Sequence, residues 1–210
     1  MRTIKVVSGE YTIENEIKRS RFIATAKGEV NQEEAEAFVK SVKKKYPDAT
    51  HNCYAYIADE LGNVARFSDD GEPSGTAGQP ILDVLKKQGL SRTAVVVTRY
   101  FGGIKLGASG LVGAYSGAVV DVLKTAKIIE KKECRLVTFK TDYSTFAGVN
   151  KYLFKADCRP LGFDYGDEVW GDAYVPLDSV ETFLKDLKEV ASGKIETTVS
   201  EEITYQQIEL

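Results

Sequence analysis

A single histidine, His51, is all the imidazole this sequence has, and one ring excludes multi-histidine metal sites and any two-histidine proton relay. Cysteine is nearly as scarce. Cys53, Cys134 and Cys158 are far apart, odd in number and without CxxC spacing, so neither a disulfide framework nor a zinc site is indicated. No apolar run approaches the roughly 18 residues of a membrane span. The amino terminus, MRTIKVVSGEYTIENE, alternates and carries charge, unlike a secretory leader. These lacks predict a protein of the reducing cytoplasm without membrane contact. Nucleotide and hydrolase signatures are missing too: neither GxGxxG nor GxxxxGK[ST] occurs, and Gly107-Ala108-Ser109-Gly110 has the wrong spacing for a nucleophile elbow.

What is present is an ordinary globular composition over 210 residues, with 43% hydrophobic and 28% charged residues, enough chain for one or two domains. The net charge of -3 hides an asymmetry, since residues 1–132 carry 20 basic against 16 acidic side chains and residues 133–210 carry 8 against 15. Such a split suits two domains with different partners, although solvated surfaces can also differ in this way.

Periodicity divides the chain at the same place. Residues 3–28 alternate, predicting a hairpin around Ser8-Gly9 and then another strand. Asn31 with Glu34 reads as a capping box for a helix with apolar positions from Ala35 to Tyr46, closed by Pro47. HNCYAYIADELGNVARFS predicts a second hairpin turning at Leu61-Gly62-Asn63. The loop DDGEPSGTAGQP leads to a short helix ending at Gly89, and RTAVVVTRYF reads as a strand buried on both faces. A long helix follows, with Ser109 as its cap, and the polar EKKEC then reads as a linker. From Cys134 the pattern restarts as βαββαβ, its second helix opened by an Asp178/Glu181 capping box and its last strand wet on one side.

Three stretches could carry chemistry. In TRYFGGIKLGASG, residues 98–110, glycines allow close backbone approach and a helix N-terminus offers N–H groups to a phosphate, with Arg99 and Lys105 beside Gly102, Gly103, Gly107 and Ser109. The same pattern also serves a tight turn. In FSDDGEPSGTAGQP, residues 67–80, Asp69, Asp70 and Glu72 could hold Mg²⁺ against a phosphate or simply shape a solvated turn, with Thr76 nearby. In HNCYAY, His51 and Asn52 could contact a ligand or be structural, Cys53 reads as a core thiol, and Tyr54 and Tyr56 could stack bases with Arg66 and Arg99 or belong to the core.

The stretch GLSRTAVVVTRYFGGIKLGASGLVGAYS, with KRSRFIA, HNCYAY and DDGEPSGTAGQP ahead of it, closely resembles the YigZ/IMPACT family over essentially the whole chain. The resemblance implies an α+β protein of two domains. Residues 1–132 would share the fold of a small-subunit ribosomal protein's second domain, with helices on one face of the sheet, a fold found also in elongation factor G domain four, RNase P protein and the galactokinase-like kinases. Residues 133–210 would be ferredoxin-like, similar to the last domain of elongation factor G. Eukaryotic members regulate translation through an extra amino-terminal partner-binding domain, for which the sequence ahead of KRSRFIA is too short.

No catalytic role attaches to these residues through the resemblance. The leading expectation is therefore a non-catalytic, cofactor-free RNA- or ribosome-binding regulator of translation. Arg19, Arg21, Arg66, Arg99 and Lys105 would grip backbone phosphates, and the acidic second domain would contact protein. The alternative is a Mg²⁺-dependent enzyme on a small phosphorylated or nucleotide substrate, with phosphate in the Gly-rich loop and the metal on Asp69, Asp70 or Glu72.

Overall fold

The computed structural model describes residues 2–208, and among these no helix is long and apolar enough to cross a membrane. The chain divides into two compact units. One is Ile4–Ile129, and the other comprises the described residues after it together with the few ahead of Ile4.

The amino-terminal unit is built on strands β2 (Glu10–Ile17), β3 (Ser20–Gly28), β4 (His51–Ile57), β5 (Ala65–Ser68) and β6 (Thr93–Tyr100). They form one sheet in the order β2-β3-β6-β4-β5, every neighbouring pair antiparallel. Three helices complete the unit: α1 (Gln32–Lys45), α2 (Gly78–Lys87) and α3 (Ala108–Thr125). The central strand β6 is a β-branched run that fits a pleated surface. Its alternation sends Val95 and Val97 into a core with Ile81 and Leu85 of α2 and Tyr115 of α3. Ala94 and Val96 enter a second core against Phe38 and Val42 of α1. Helices therefore cover both faces, which corrects the expectation of helices on one face. A strand apolar on both sides must be covered on both.

Local signals decide several boundaries. Asn31 and Glu34 form the capping box of α1, the Asn31 side chain accepting from Glu34 N at 2.9 Å and the Glu34 carboxylate from Asn31 N at 2.8 Å. The N-cap residue of α3 is Gly107 rather than Ser109, and no side chain caps the helix. The first hairpin also differs from expectation. Strand β1 (Thr3–Val7) pairs with β7 (Ile128–Thr141), Ser8 N donating to Lys127 O at 2.8 Å, while β2 pairs with β3 around a turn at Lys18 and Arg19. Gly9, at φ +93, redirects the chain from one sheet to another. EKKEC is correspondingly no linker: it lies within β7, its charged residues on the partly exposed positions of the strand.

The carboxy-terminal unit runs β7, α4 (Tyr143–Leu153), β8 (Arg159–Tyr165), β9 (Val169–Pro176), α5 (Val180–Val190) and β10 (Ile195–Gln206). Its strands are ordered β10-β7-β9-β8, all antiparallel. Val149, Leu153, Phe183 and Leu187 of the two helices pack on Val137, Phe139, Ala173 and Val175. Gly171 is required there, because a Cβ would sit 2.4 Å from the Phe139 ring. Asp142 caps α4 by accepting from Thr145 N at 2.7 Å. The expected Asp178/Glu181 box is absent: the N-cap residue of α5 is Ser179, with no side-chain cap, and Asp178 accepts from the Ser179 hydroxyl instead. Ile203 of β10 is 45% exposed, at the point where the register with β7 shifts after Val199.

Candidate functional site

The register of three strands builds a polar centre into one end of the first sheet. Arg99 of β6 stands opposite both Phe22 of β3 and His51 of β4, so the three side chains share the face that carries α2 and α3. Arg99 Nη1 bonds Glu72 Oε1 at 2.6 Å with the two side chains only 6% and 3% exposed. Nη2 reaches Ser20 Oγ at 3.3 Å, and the guanidinium lies over the rings of Phe22 and Phe101. Its Nε is buried without a partner. The same Glu72 oxygen accepts from the Tyr115 hydroxyl at 2.8 Å, and His51 Nε2 lies 3.9 Å away. His51 Nδ1 faces the Asp70 carbonyl at 2.9 Å. A carbonyl only accepts, so Nδ1 carries a proton.

The acidic loop between β5 and α2 is satisfied from within. Asp69 accepts from the backbone N–H groups of Gly75, Ala77 and Gly78 at 2.8–3.0 Å, serving the start of α2 from a distance. Asp70 accepts from Lys43 Nζ at 2.6 Å and Asn52 N at 2.7 Å. Burial works against its ionisation, but those two bonds outweigh it and hold the carboxyl below the usual range. Asn52 in turn accepts from Thr98, and Thr76 only closes its own turn onto the Pro73 carbonyl. Each of the three acids thus turns to a different set of protein donors, and among the described residues no three metal-ligating side chains converge. The Mg²⁺ arrangement on Asp69, Asp70 or Glu72 finds no support in this geometry. Cys53 is no nucleophile either: its thiol lies 3.0 Å from the Asp69 carbonyl and 3.4 Å from the Tyr115 hydroxyl, and burial pushes it up to about 12.

The Gly-rich loop between β6 and α3 is pressed onto the β2–β3 turn. A Cβ on Gly102 would lie 2.0 Å from the Arg19 carbonyl oxygen, and Gly102 N donates to Ser20 Oγ at 3.2 Å. Gly103 and Gly107 adopt φ of +83 and +77 in open space, a conformation that glycine takes without strain. Lys18 and Arg19 on the turn and Lys105 on the loop are exposed, and none of them has an acidic partner among the described residues. Beside them is the uncapped start of α3, with Ser109 in its first turn.

The structure therefore sorts the sequence candidates into three groups. Arg19, Gly102, Gly103, Lys105, Gly107 and Ser109 belong to these two abutting loops or the helix start that follows. His51, Asn52, Asp69, Asp70, Glu72 and Arg99 form the supporting polar network, and Thr76 stands apart, closing its own turn. Arg21, Tyr54 and Arg66 lie on the α1 face. Arg21 is held by both oxygens of Glu14 at 2.7 and 3.1 Å, and Tyr54 and Arg66 line a groove beside α1. Sequence reasoning missed Ser20, Lys43 and Tyr115. Only Tyr115 left a signal, a hydroxyl within an apolar helical stripe that needs a partner when buried.

The Impact N-terminal domain family matches residues 18–123. The IMPACT family member YvyE of Bacillus subtilis is 38% identical over 198 residues, 94% of this chain and 90% of that protein. The IMPACT family member YigZ of Escherichia coli is 35% identical over 204 residues, 96% of this chain and all of that protein. The crystal structure of a hypothetical protein is similar at a TM-score of 0.63 and 34% identity, covering 96% of this chain and 100% of the other.

Proposed function

The chain belongs to the IMPACT family, and from that premise we propose that it is a non-catalytic RNA- or ribosome-binding protein of the cytoplasm that acts in regulating translation. The observation that carries this reading is the cluster of unpaired, exposed cations Lys18, Arg19 and Lys105 on two abutting loops beside an uncapped helix start. Cations without internal partners, next to free backbone N–H groups, suit the evenly spaced charges of a nucleic-acid backbone. Glu72, itself held by the Tyr115 hydroxyl, and Ser20 hold Arg99 inward, so it supports the loop end rather than meeting a phosphate.

The strand order β10-β7-β9-β8 with both helices on one face supports the ferredoxin-like reading of the carboxy-terminal unit, which we take as the protein-contacting part because of its acidic balance. The link to translation rests on the likeness to ribosomal and elongation-factor domains that the family resemblance implies, an analogy of fold alone.

Co-sedimentation with ribosomes and with RNA across a salt series tests the proposal. Three phosphate contacts give a log–log slope of about -2.1 to -2.7, so a fourfold rise in salt weakens binding roughly 20- to 40-fold. Lys105→Ala should make the slope shallower by about 0.7 to 0.9 and weaken all sequences alike. Absence of binding at low salt, or binding indifferent to salt, would refute the reading.

A further inference from the structure

The open face of the carboxy-terminal sheet carries a feature that RNA binding by the other unit leaves unused. Both helices of this unit pack on Val137, Phe139, Ala173 and Val175, so alternation turns Trp170 and Asp172 of β9 to the other face. The register sets Asp164 of β8 directly opposite Trp170 and Gly162 directly opposite Asp172, all four on that face. An open groove of about 460 Å³ lies there, lined by Thr138, Leu161, Gly162, Asp164, Trp170 and Asp172, among others.

One corner of this square is empty. Gly162 has no side chain, and a Cβ on it would meet nothing within 4 Å. On the diagonal from Gly162 stands Trp170, 50% exposed. Asp164 and Asp172 form the other diagonal, roughly 7–8 Å apart, a span that a planar cation placed between them can bridge. Asp172 accepts from the Thr138 hydroxyl at 2.6 Å through Oδ1 alone, and Asp164 has no basic partner among the described residues. Lys140, opposite Trp170 on β7, lies 5.6 Å from the indole centroid, so the ring already serves as a platform for a cation. Its charge is met elsewhere, by Glu168 at 3.1 Å and Glu196 at 3.3 Å. The groove is therefore left with two carboxylates that no cation neutralises.

We propose that this groove receives an arginine side chain of a basic protein segment, its guanidinium over Gly162, against the Trp170 indole and bonded by Asp164 and Asp172. The inference rests on the reading of the acidic unit as the protein-contacting part, and it names the surface and the partner's chemistry. Charge decides the occupant. A nucleic-acid strand would bring phosphates against two carboxylates, and an apolar segment would cover both without a counter-charge. Guanidinium joins a plane that stacks on an indole to donors that two carboxylates accept, whereas ammonium lacks the plane.

The test uses the full chain and labelled decapeptides that alternate serine with arginine, lysine or glutamate, read by fluorescence anisotropy. Unlabelled peptide is followed in parallel by the emission of Trp170, the only tryptophan in the chain. The arginine peptide should bind and change that emission, the lysine peptide should bind more weakly, and the glutamate peptide should not bind. Asp164→Asn should weaken the arginine peptide about threefold or more and make its binding less sensitive to salt. Gly162→Val should block binding by filling the empty corner. Its side chain meets open space and suits a strand, so this variant should keep the wild-type circular dichroism and melting temperature. If Gly162→Val binds the arginine peptide as wild type does, or wild type binds it with Trp170 emission unmoved, the inference falls while the protein-contacting role of the unit survives. Equal binding of the lysine and arginine peptides would overturn the guanidinium assignment. Quenching of Trp170 by oligouridylate, or self-association that Gly162→Val abolishes, would assign the face to RNA or to a second copy and overturn the inference. Failure of wild type to bind any peptide removes the inference and the protein-contacting role together, and leaves RNA binding to be judged by its own salt series.

Discussion

Glu72→Gln removes one charge from the polar centre and almost nothing else. The amide can still accept from Tyr115 and from Arg99, whose bonds to Glu72 Oε1 are 2.8 and 2.6 Å. What changes is that the Arg99 guanidinium, 6% exposed and with its Nε already unpartnered, loses its one acidic neighbour. Breaking a buried pair by removing one partner costs about 3–5 kcal/mol. The retained hydrogen bonds place Glu72→Gln near the lower end, about 3 kcal/mol. At about 1.4 kcal/mol per power of ten, amides of β6 that open only with the whole unit should exchange roughly a hundredfold faster or more. Hydrogen exchange on the full chain is the suitable assay, because the single tryptophan, Trp170, lies on β9 of the other unit and reports on the wrong one. The double variant Glu72→Leu with Arg99→Met should recover most of the loss, since a packed apolar pair avoids the desolvation that the ions bear. If Glu72→Gln leaves β6 protection within a factor of about ten, the pair is not the internal tie described above.

Gly102→Ala forces a Cβ to within 2.0 Å of the Arg19 carbonyl, and backbone cannot yield as a side chain tip would. The Gly-rich loop should therefore separate from the β2–β3 turn, at a cost of about 1–3 kcal/mol, and thermal melts alongside the salt series should show lost stability and lost RNA affinity together; unchanged affinity would detach the two loops from binding. Hydrogen bonds from Ser144 and Thr145 hold the Asp142 carboxyl down at about 2. A depressed folded pKa means that the cap of α4 contributes fully above the ordinary carboxylate value and is lost as pH falls from near 4 towards 2. An NMR titration should show the Asp142 carboxyl and the Thr145 amide moving together in that range, and a midpoint near 4 would contradict the cap.

Local chemistry alone determined much of this protein. The unbroken valines of β6, the Asn31/Glu34 box of α1, the turn at Gly62 and the βαββαβ succession after Cys134 are each written in neighbouring residues, and the structure contains them. Where the partner is distant, proximity in sequence misled. Ser8-Gly9 looks like a hairpin turn, yet β1 finds β7, more than a hundred residues on, and EKKEC is strand because β1 and β10 pair with it. The site divides along the same line. That glycines, cations and acids crowd residues 67–80 and 98–110 is legible in the sequence. That Glu72 neutralises Arg99, that Asp69 and Asp70 are consumed by backbone amides and Lys43, and that Arg66 and Tyr54 face away from Arg99 are not. A one-residue change of register moves a side chain to the opposite face of a sheet. Which charges meet, and which remain free for a ligand, was therefore settled only when the strands had paired.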